Sequence, residues 1–128
     1  MRHDIISDVF STIKNAESLG KKECVVPASK LIKAILKVMQ DHGYIKEFGF
    51  IEDGKGGKFK IKLQGSINDC NAIRPRFSTT VDEIIKFEKR FLPATGTGIL
   101  IITTSQGVMD HAKAKKLRTG GKLLGYVY

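Results

Sequence analysis

The sequence has 128 residues and a mass of 14.2 kDa, with 41% hydrophobic and 27% charged residues. These proportions are typical of a soluble globular protein and exclude a disordered tail. Its 22 Lys and Arg against 13 Asp and Glu give a net charge of +9, which predicts a polyanionic partner: nucleic acid first, an anionic membrane surface second. The longest apolar run, residues 99–102, is far shorter than the ~20 residues that cross a bilayer, and we expect no targeting segment.

The first half of the chain alternates between the helical and the strand period. Apolar residues recur every three or four positions in two expected helices and every second position in the later strands. Asp4 can cap the first helix, and Gly20 can supply the left-handed conformation that ends it. A Gly-rich turn at residues 53–57 joins the last two strands. The predicted elements are helix 4–19, strand 23–26 closed by Pro27, helix 29–42, a strand from residue 44 to the turn, and strand 58–63.

The last of these strands has the clearest alternation in the sequence. Phe59, Ile61 and Leu63 point to one side, and Lys58, Lys60 and Lys62 point to the other. A three-lysine face is solvated in most proteins, so we regard it as a weak candidate for phosphate binding. The aromatic residues of this half are expected on buried faces and not as platforms for bases: Phe10, Phe48, Phe50 and Phe59.

The second half is richer in strands than in helices. Val81, Ile84, Ile85 and Phe87 lie at helical intervals and predict a short helix. The predicted elements are an extended stretch 65–73, extended residues 74–77, helix 81–90, the most buried strand 99–103, turn 104–107, helix 111–118 between its cap Asp110 and a turn at Gly120–Gly121, and strand 123–128. The pattern predicts an α+β fold of two small lobes: an N-terminal αβαββ lobe (1–66) and a mainly β C-terminal lobe with short helices (67–128).

Cysteine and histidine usage argues against a metal site. Cys24 and Cys70 are expected to be buried free thiols in a reducing compartment, since no Cys-x-x-Cys occurs. His3, His42 and His111 lie far apart without ligand spacing. We therefore expect no structural zinc site.

The sequence also lacks the motifs that enzymes of this size use. The Gly-Lys pairs in residues 54–59 and 120–123 are not followed by Ser or Thr, as a P-loop requires. Residues 96–98 lack the third glycine of a dinucleotide fingerprint, and no Gly-x-Ser-x-Gly occurs. Asp82 and Glu83 are adjacent on a helix and point apart. We predict that the protein is not an enzyme.

One segment combines groups suited to RNA. Hydroxyls, an amide and an unhindered backbone at residues 103–107 suit base edges and ribose, and the basic residues that follow suit phosphates. The alternative interpretation is a plain turn with a solvated basic helix. A basic module that binds an acidic protein or lipid headgroups is the competing class, although no helix combines a wide apolar face with a cationic one.

The same segment resembles a known family. Residues 103–109 (TTSQGVM) followed by Gly120–Gly121 closely resemble the C-terminal signature of the small-subunit ribosomal protein S8 family. Residues 13–16, 27–31 and 43–45 resemble its N-terminal half, and residues 74–77, 90–94 and 126–128 its archaeal and eukaryotic branch. One departure is residues 111–114 (HAKA), where relatives often have an acidic residue.

The resemblance implies a structural, cytoplasmic constituent of the small ribosomal subunit. Such a protein binds the central domain of small-subunit rRNA early in assembly and holds a helical junction, beside neighbouring ribosomal proteins. The resemblance also implies no catalysis, no cofactor and no required metal. We expect a monomer outside the ribosome, and neither a membrane nor a small-molecule substrate as a partner.

The residues expected to contact RNA fall into three groups. The family's main contact corresponds to Thr104, Ser105, Gln106 and Gly107, with Val108, Met109, Gly120 and Gly121 nearby, and a second contact to Ser29 and Lys30. Further phosphate candidates are Arg74, Arg76, Lys113, Lys116 and Arg118. For two residues a structural role is an open alternative: Ser29 as the N-cap of its helix and Met109 as an ordinary core side chain.

Overall fold

The computed structural model describes residues 5–73, 76–94 and 96–128. In chain order the elements are α1 (Ile5–Ser18), β1 (Glu23–Pro27), α2 (Lys30–Asp41), β2 (Ile45–Ile51), β3 (Lys58–Leu63), β4 (Cys70–Ala72), β5 (Ser78–Thr79), a 3-10 turn (Val81–Glu83), α3 (Ile84–Phe91), β6 (Ile99–Thr104), β7 (Gly107–Asp110), α4 (His111–Lys116) and β8 (Gly121–Val127). The predicted α+β fold is confirmed.

The first half forms the predicted αβαββ unit. Its sheet has the antiparallel order β1-β3-β2. α1 ends at Ser18, and Gly20, two residues later, has the expected left-handed conformation with a φ of 71°. Ser29 caps α2, because its Oγ accepts the Ile32 N–H at 3.1 Å. The predicted cap Asp4 lies outside the described residues.

The alternation in β3 is confirmed, and the lysine side of the strand is largely neutralised. Ile61 is fully buried on the inner face. On the outer face Lys60 Nζ lies 3.3 Å from Glu23 Oε1, and Lys62 Nζ lies 3.0 Å from Glu47 Oε1. Carboxylates on the two flanking strands therefore hold two of the three ammonium groups.

The second sheet contains the central core strand. Its order is β4-β8-β6-β7, and β5 pairs with β8. Residues 99–102 of β6 are buried, as predicted. β5 and β7 were not predicted, because strands of two and four residues are too short to show a period of two.

The two halves of the chain share a continuous core. One cluster of buried side chains combines α1 and α2 with residues of the second sheet such as Leu124 and Val127. A Cβ atom placed on Gly125 of β8 would lie 2.6 Å from Cζ of Phe10, so α1 packs directly on the second sheet. A second cluster packs α3 and α4 residues such as Ile84 and Ala114 against residues of the same sheet.

Three expectations about individual side chains were wrong. Ile85 is 53% exposed, because it follows Ile84 by one residue and points about 100° away from the buried stripe. Phe50 is 57% exposed near the end of β2, where its ring makes an edge contact with Phe59 and lies over Gly57. Cys24 is half-buried, whereas Cys70 is buried as predicted.

The region around Gly120–Gly121 also differs from the prediction. Residue 121 opens β8 and is not part of a turn. The chain reverses just before it, where Arg118 has a φ of 51°. A Cβ on Gly121 would lie 2.1 Å from the Thr103 carbonyl oxygen, and a Cβ on Gly120 would lie 2.3 Å from the Thr79 carbonyl oxygen. These glycines therefore allow close contact between neighbouring strands.

Candidate RNA-binding surface

The hairpin turn between β6 and β7 presents polar groups to solvent. Thr104 Oγ1 donates to the Gly107 carbonyl at 2.9 Å and accepts the Gln106 N–H at 3.0 Å, so this hydroxyl holds the turn together. Ser105 and Gln106 form the two-residue tip and are exposed. Gly107 is exposed with a φ of 115°, which other residues rarely adopt. The result is a braced turn with a free approach to the Ser105 hydroxyl and the Gln106 amide.

The strand that follows points one of its predicted contact residues inward. Met109 is 3% exposed and pairs with Ile102 in the core. Met109 is therefore an ordinary core side chain, the alternative left open by the sequence, because side chains alternate along β7 and this one points away from solvent. Val108 is half-buried on the opposite side of the strand.

Helix α4 places two of the predicted basic residues on one exposed side. Asp110 caps the helix by accepting the Ala112 and Lys113 N–H groups at 3.1 and 3.3 Å. Lys113 and Lys116 are exposed and three residues apart, hence on the same side of the helix. Neither forms an ion pair with a described residue. Their ammonium groups are therefore available for phosphates.

The other side of α4 is tied to the body of the protein. His111 Nδ1 accepts the Leu100 N–H at 3.1 Å, and its Nε2 lies 3.7 Å from Glu88 Oε1. Burial lowers the pKa of His111, against the attraction of the Glu88 carboxylate. Lys115 also binds Glu88. These contacts fix α4 against α3 and so fix the direction in which Lys113 and Lys116 project.

Helix α2 brings the N-terminal candidates to the same surface. His42 Nε2, after the end of α2, lies 3.3 Å from Asp110 Oδ1 at the end of β7. The groove between the two elements runs back along Ala34, beside Val108. The C-terminal half of α2, the helix that begins at Lys30, therefore shares a groove with β7, the strand that follows the hairpin turn.

Burial and helix geometry add cations that the sequence reasoning missed. The missed residues Lys33 and Lys37 lie three and seven residues after the predicted Lys30, and all three are exposed on α2. Lys37 binds Asp41 at 3.2 Å, whereas Lys30 and Lys33 form no ion pair with a described residue. Lys122 is exposed on β8, opposite Thr103. The helical spacing of the α2 lysines is present in the sequence and could have predicted this row of cations.

The structure supports the remaining predicted RNA contacts to different degrees. Ser29 is exposed and caps α2, so its hydroxyl is already engaged with a backbone N–H. Arg118 and Arg76 are exposed, before β8 and before β5. Arg74 lies outside the described residues. Gly120 and Gly121 allow the backbone to approach the Thr79 and Thr103 carbonyl groups closely.

The described residues show neither a metal site nor a membrane-spanning helix. Among them, no three His, Cys, Asp or Glu side chains are grouped to hold a metal ion. No helix among these residues has the length and apolarity needed to cross a membrane. The candidate surface carries acidic groups at Asp41 and Asp110, each in an ion pair or close contact with Lys37 or His42.

Comparison with known proteins identifies relatives over the full length. The family model described as Ribosomal protein S8 matches residues 4–128. The chain is 55% identical over 129 residues to the small ribosomal subunit protein uS8 of Archaeoglobus fulgidus and 52% identical over 129 residues to that of Picrophilus torridus, covering 100% of both chains in each case. Identity to the protein of that name from Caldivirga maquilingensis is 49% over 126 residues, or 98% of this chain and 97% of the relative.

Proposed function

This chain belongs to the ribosomal protein S8 family, and we propose on that premise that it is a structural constituent of the small ribosomal subunit. It binds the central domain of the small-subunit rRNA and stabilises a helical junction there during assembly. Family membership agrees with the prediction that the protein is not an enzyme. Its location is the ribosome in the cytoplasm, beside neighbouring ribosomal proteins, and outside the ribosome it is a monomer.

The observation that carries this proposal is the position of the hairpin turn among cations. The exposed Ser105–Gln106 tip leads into β7, which shares a groove with α2, and Lys113 lines that groove. Lys113 and the α2 residue Lys30 form no ion pair with a described residue, so free cations lie on both helices, α2 and α4, that adjoin β7. Such an arrangement fits a polyanion whose sugar and base edges are accessible.

The two kinds of group have different tasks. Lysine ammonium groups bind phosphates and displace counterions, which supplies affinity for any duplex. The Ser105 hydroxyl and Gln106 amide reach ribose 2′-hydroxyls and base edges in a shallow groove, which supplies selectivity for the junction. Gly107 lets the RNA backbone approach closely, since it has no side chain.

Both predicted lobes contribute to this contact. Residues 1–66 supply Ser29 and Lys30, and residues 67–128 supply the hairpin and α4. The shared core and the close contact between His42 and Asp110 support a fixed spacing between the two contributions.

Substituting Ser105 by alanine tests the proposed division of tasks. Affinity for a central-domain rRNA fragment should fall about tenfold, the loss expected for one hydrogen bond of about 1.4 kcal/mol, whereas affinity for a random RNA duplex should stay unchanged. Lys116→Ala should weaken binding to both RNAs equally. Ser66→Ala, at an exposed serine outside the surface, is the matched control. Equal losses for Ser105→Ala on the two RNAs would refute the proposal.

A further inference from the structure

A second group of lysines converges at the other end of the first sheet. Lys21 and Lys22 lie between α1 and β1, Lys46 lies on β2 and Lys62 lies on β3, and all four line one open cleft of about 510 Å³. The cleft lies at the end of the sheet where β1 begins, whereas the Gly-rich turn and Ser29 lie where β1 ends. Three separate chain segments therefore place positive charge at one point.

Most of this positive charge has no counter-charge in the described residues. Lys21, Lys22 and Lys46 are exposed and form no ion pair with a described residue, while Lys62 binds Glu47 at 3.0 Å. Like charges that share a cleft repel each other, so an anion bound there would be stabilised.

The two carboxylates that line the cleft are engaged elsewhere. Glu23 lies 3.3 Å from Lys60 on the outer face of the sheet. Glu17 is half-buried, and its Oε2 accepts the Ile67 N–H at 3.3 Å. Glu17 keeps its negative charge, because the Ile67 N–H is neutral, so the three free ammonium groups leave a net charge of about +2 in the cleft.

We propose that this lysine cleft is a second RNA-binding site, which takes phosphates of an rRNA segment other than the one at the hairpin turn. The inference rests on the proposed function of the chain as an rRNA-binding protein. Lysine binds phosphate as a flexible point charge and needs no planar geometry.

The lining favours RNA over an acidic protein segment. Protein interfaces are built around buried aromatic and apolar anchors, and they are depleted in Lys and Glu. The cleft is lined by four lysines and two glutamates, and its one large apolar side chain, Leu63, is only 7% exposed. A partner protein would find no apolar anchor among these residues.

Geometry separates the two sites. β1 has five residues and spans about 16 Å between Lys22 and the start of α2. The cleft therefore lies at the opposite end of the first sheet from Ser29 and faces a different part of a bound RNA. The protein would then bridge two RNA segments, which is the arrangement a junction requires.

Tethered cleavage tests the site directly in the complex with full-length small-subunit rRNA. Lys21→Cys and Ser105→Cys variants are each labelled with an iron chelate that generates hydroxyl radicals. The wild-type protein, treated in the same way, is the control for the native thiols. Burial raises the pKa of Cys24 to about 11 and that of Cys70 to about 12, so both label slowly. We expect cleavage from both positions, at different nucleotides.

The outcomes separate the cleft from the hairpin. Cleavage from residue 105 without cleavage from residue 21 overturns the cleft site and leaves the proposed function standing. Cleavage of the same nucleotides from both positions also overturns it, because the second segment would not exist. Absence of cleavage from both overturns the proposed function as well.

A binding measurement adds an independent test. The double variant Lys21→Gln, Lys22→Gln should bind the full rRNA about 30-fold more weakly near 0.15 M salt, the effect of losing about two phosphate contacts. A charge-matched control carries Lys86→Gln and Lys89→Gln on α3. Equal losses in the two double variants, or unchanged rRNA affinity with loss of binding to an acidic ribosomal protein, would contradict the proposal.

Discussion

Replacing Lys113 and Lys116 by glutamine tests whether α4 contacts RNA phosphates. Both side chains are exposed on the same side of the helix, and neither forms an ion pair with a described residue. Their removal costs no contact that the structure shows within the protein, so the fold should be unaffected. The variant therefore isolates their electrostatic contribution to RNA binding.

The size of the effect follows from the number of cations on the surface. The residues near the hairpin that form no ion pair with a described residue are Lys30, Lys33, Lys113, Lys116, Arg118 and Lys122. Each phosphate neutralised on a duplex changes the slope of log K against log salt by about −0.9. The wild-type slope should therefore be on the order of −5, and that of the double variant about −3.5.

Fluorescence anisotropy with a labelled central-domain fragment, between about 0.05 and 0.2 M KCl, measures this slope. The double variant Lys86→Gln, Lys89→Gln on α3 is the control, since it has the same net charge but lies outside the surface. The control should retain the wild-type slope. If the α4 variant retains it too, or if both variants change equally, the assignment of α4 to the phosphate contact is refuted.

Three further predictions concern the protein alone. Gly125→Ala should lower the free energy of unfolding by about 1–3 kcal/mol in urea titrations, because the new methyl group meets the Phe10 ring; an unchanged midpoint would contradict the shared core. Burial alone would raise the pKa of Asp110, but the hydrogen bond and charge of His42 hold it below its ordinary value of 3.8. The stability that this carboxylate contributes is therefore present above pH 3.8 and is lost as the pH falls through the lower pKa of the folded state. The Tm of the Asp110→Asn variant should therefore fall less than the wild-type Tm between about pH 5 and pH 2. Burial raises the pKa of Cys70 to about 12, so Ellman's reagent at neutral pH should react with it only on unfolding; rapid reaction in the folded protein would refute its burial.

Local chemistry explains why much of the fold could be predicted. The Ser29 cap, the left-handed Gly20 and the Asp110 cap each depend on residues within one turn of the chain, and all three were found where the sequence placed them. The alternation of β3 was equally readable, because one face is buried and the other is solvated. Such signals need no knowledge of distant contacts.

Long-range packing explains what could not be predicted. β7 is four residues long and exists because it pairs with β6 and packs on α2. Ile85 and Phe50 belong to apolar patterns, but the elements around them leave both exposed. The groove that α2 shares with β7 depends on the packing of these two elements, which no local pattern encodes.

The candidate surface is therefore a product of the shared core as much as of its own residues. Its two parts lie more than seventy residues apart in the chain, and they meet because α2 packs on β7 and α1 packs on β8. A surface assembled in this way is already ordered before RNA arrives, so binding need not pay the entropy of bringing the two parts together. Phe10 contacts no candidate RNA-binding residue among the described contacts. It nevertheless packs α1 on β8, and the spacing between Lys30 and Ser105 depends on such core contacts.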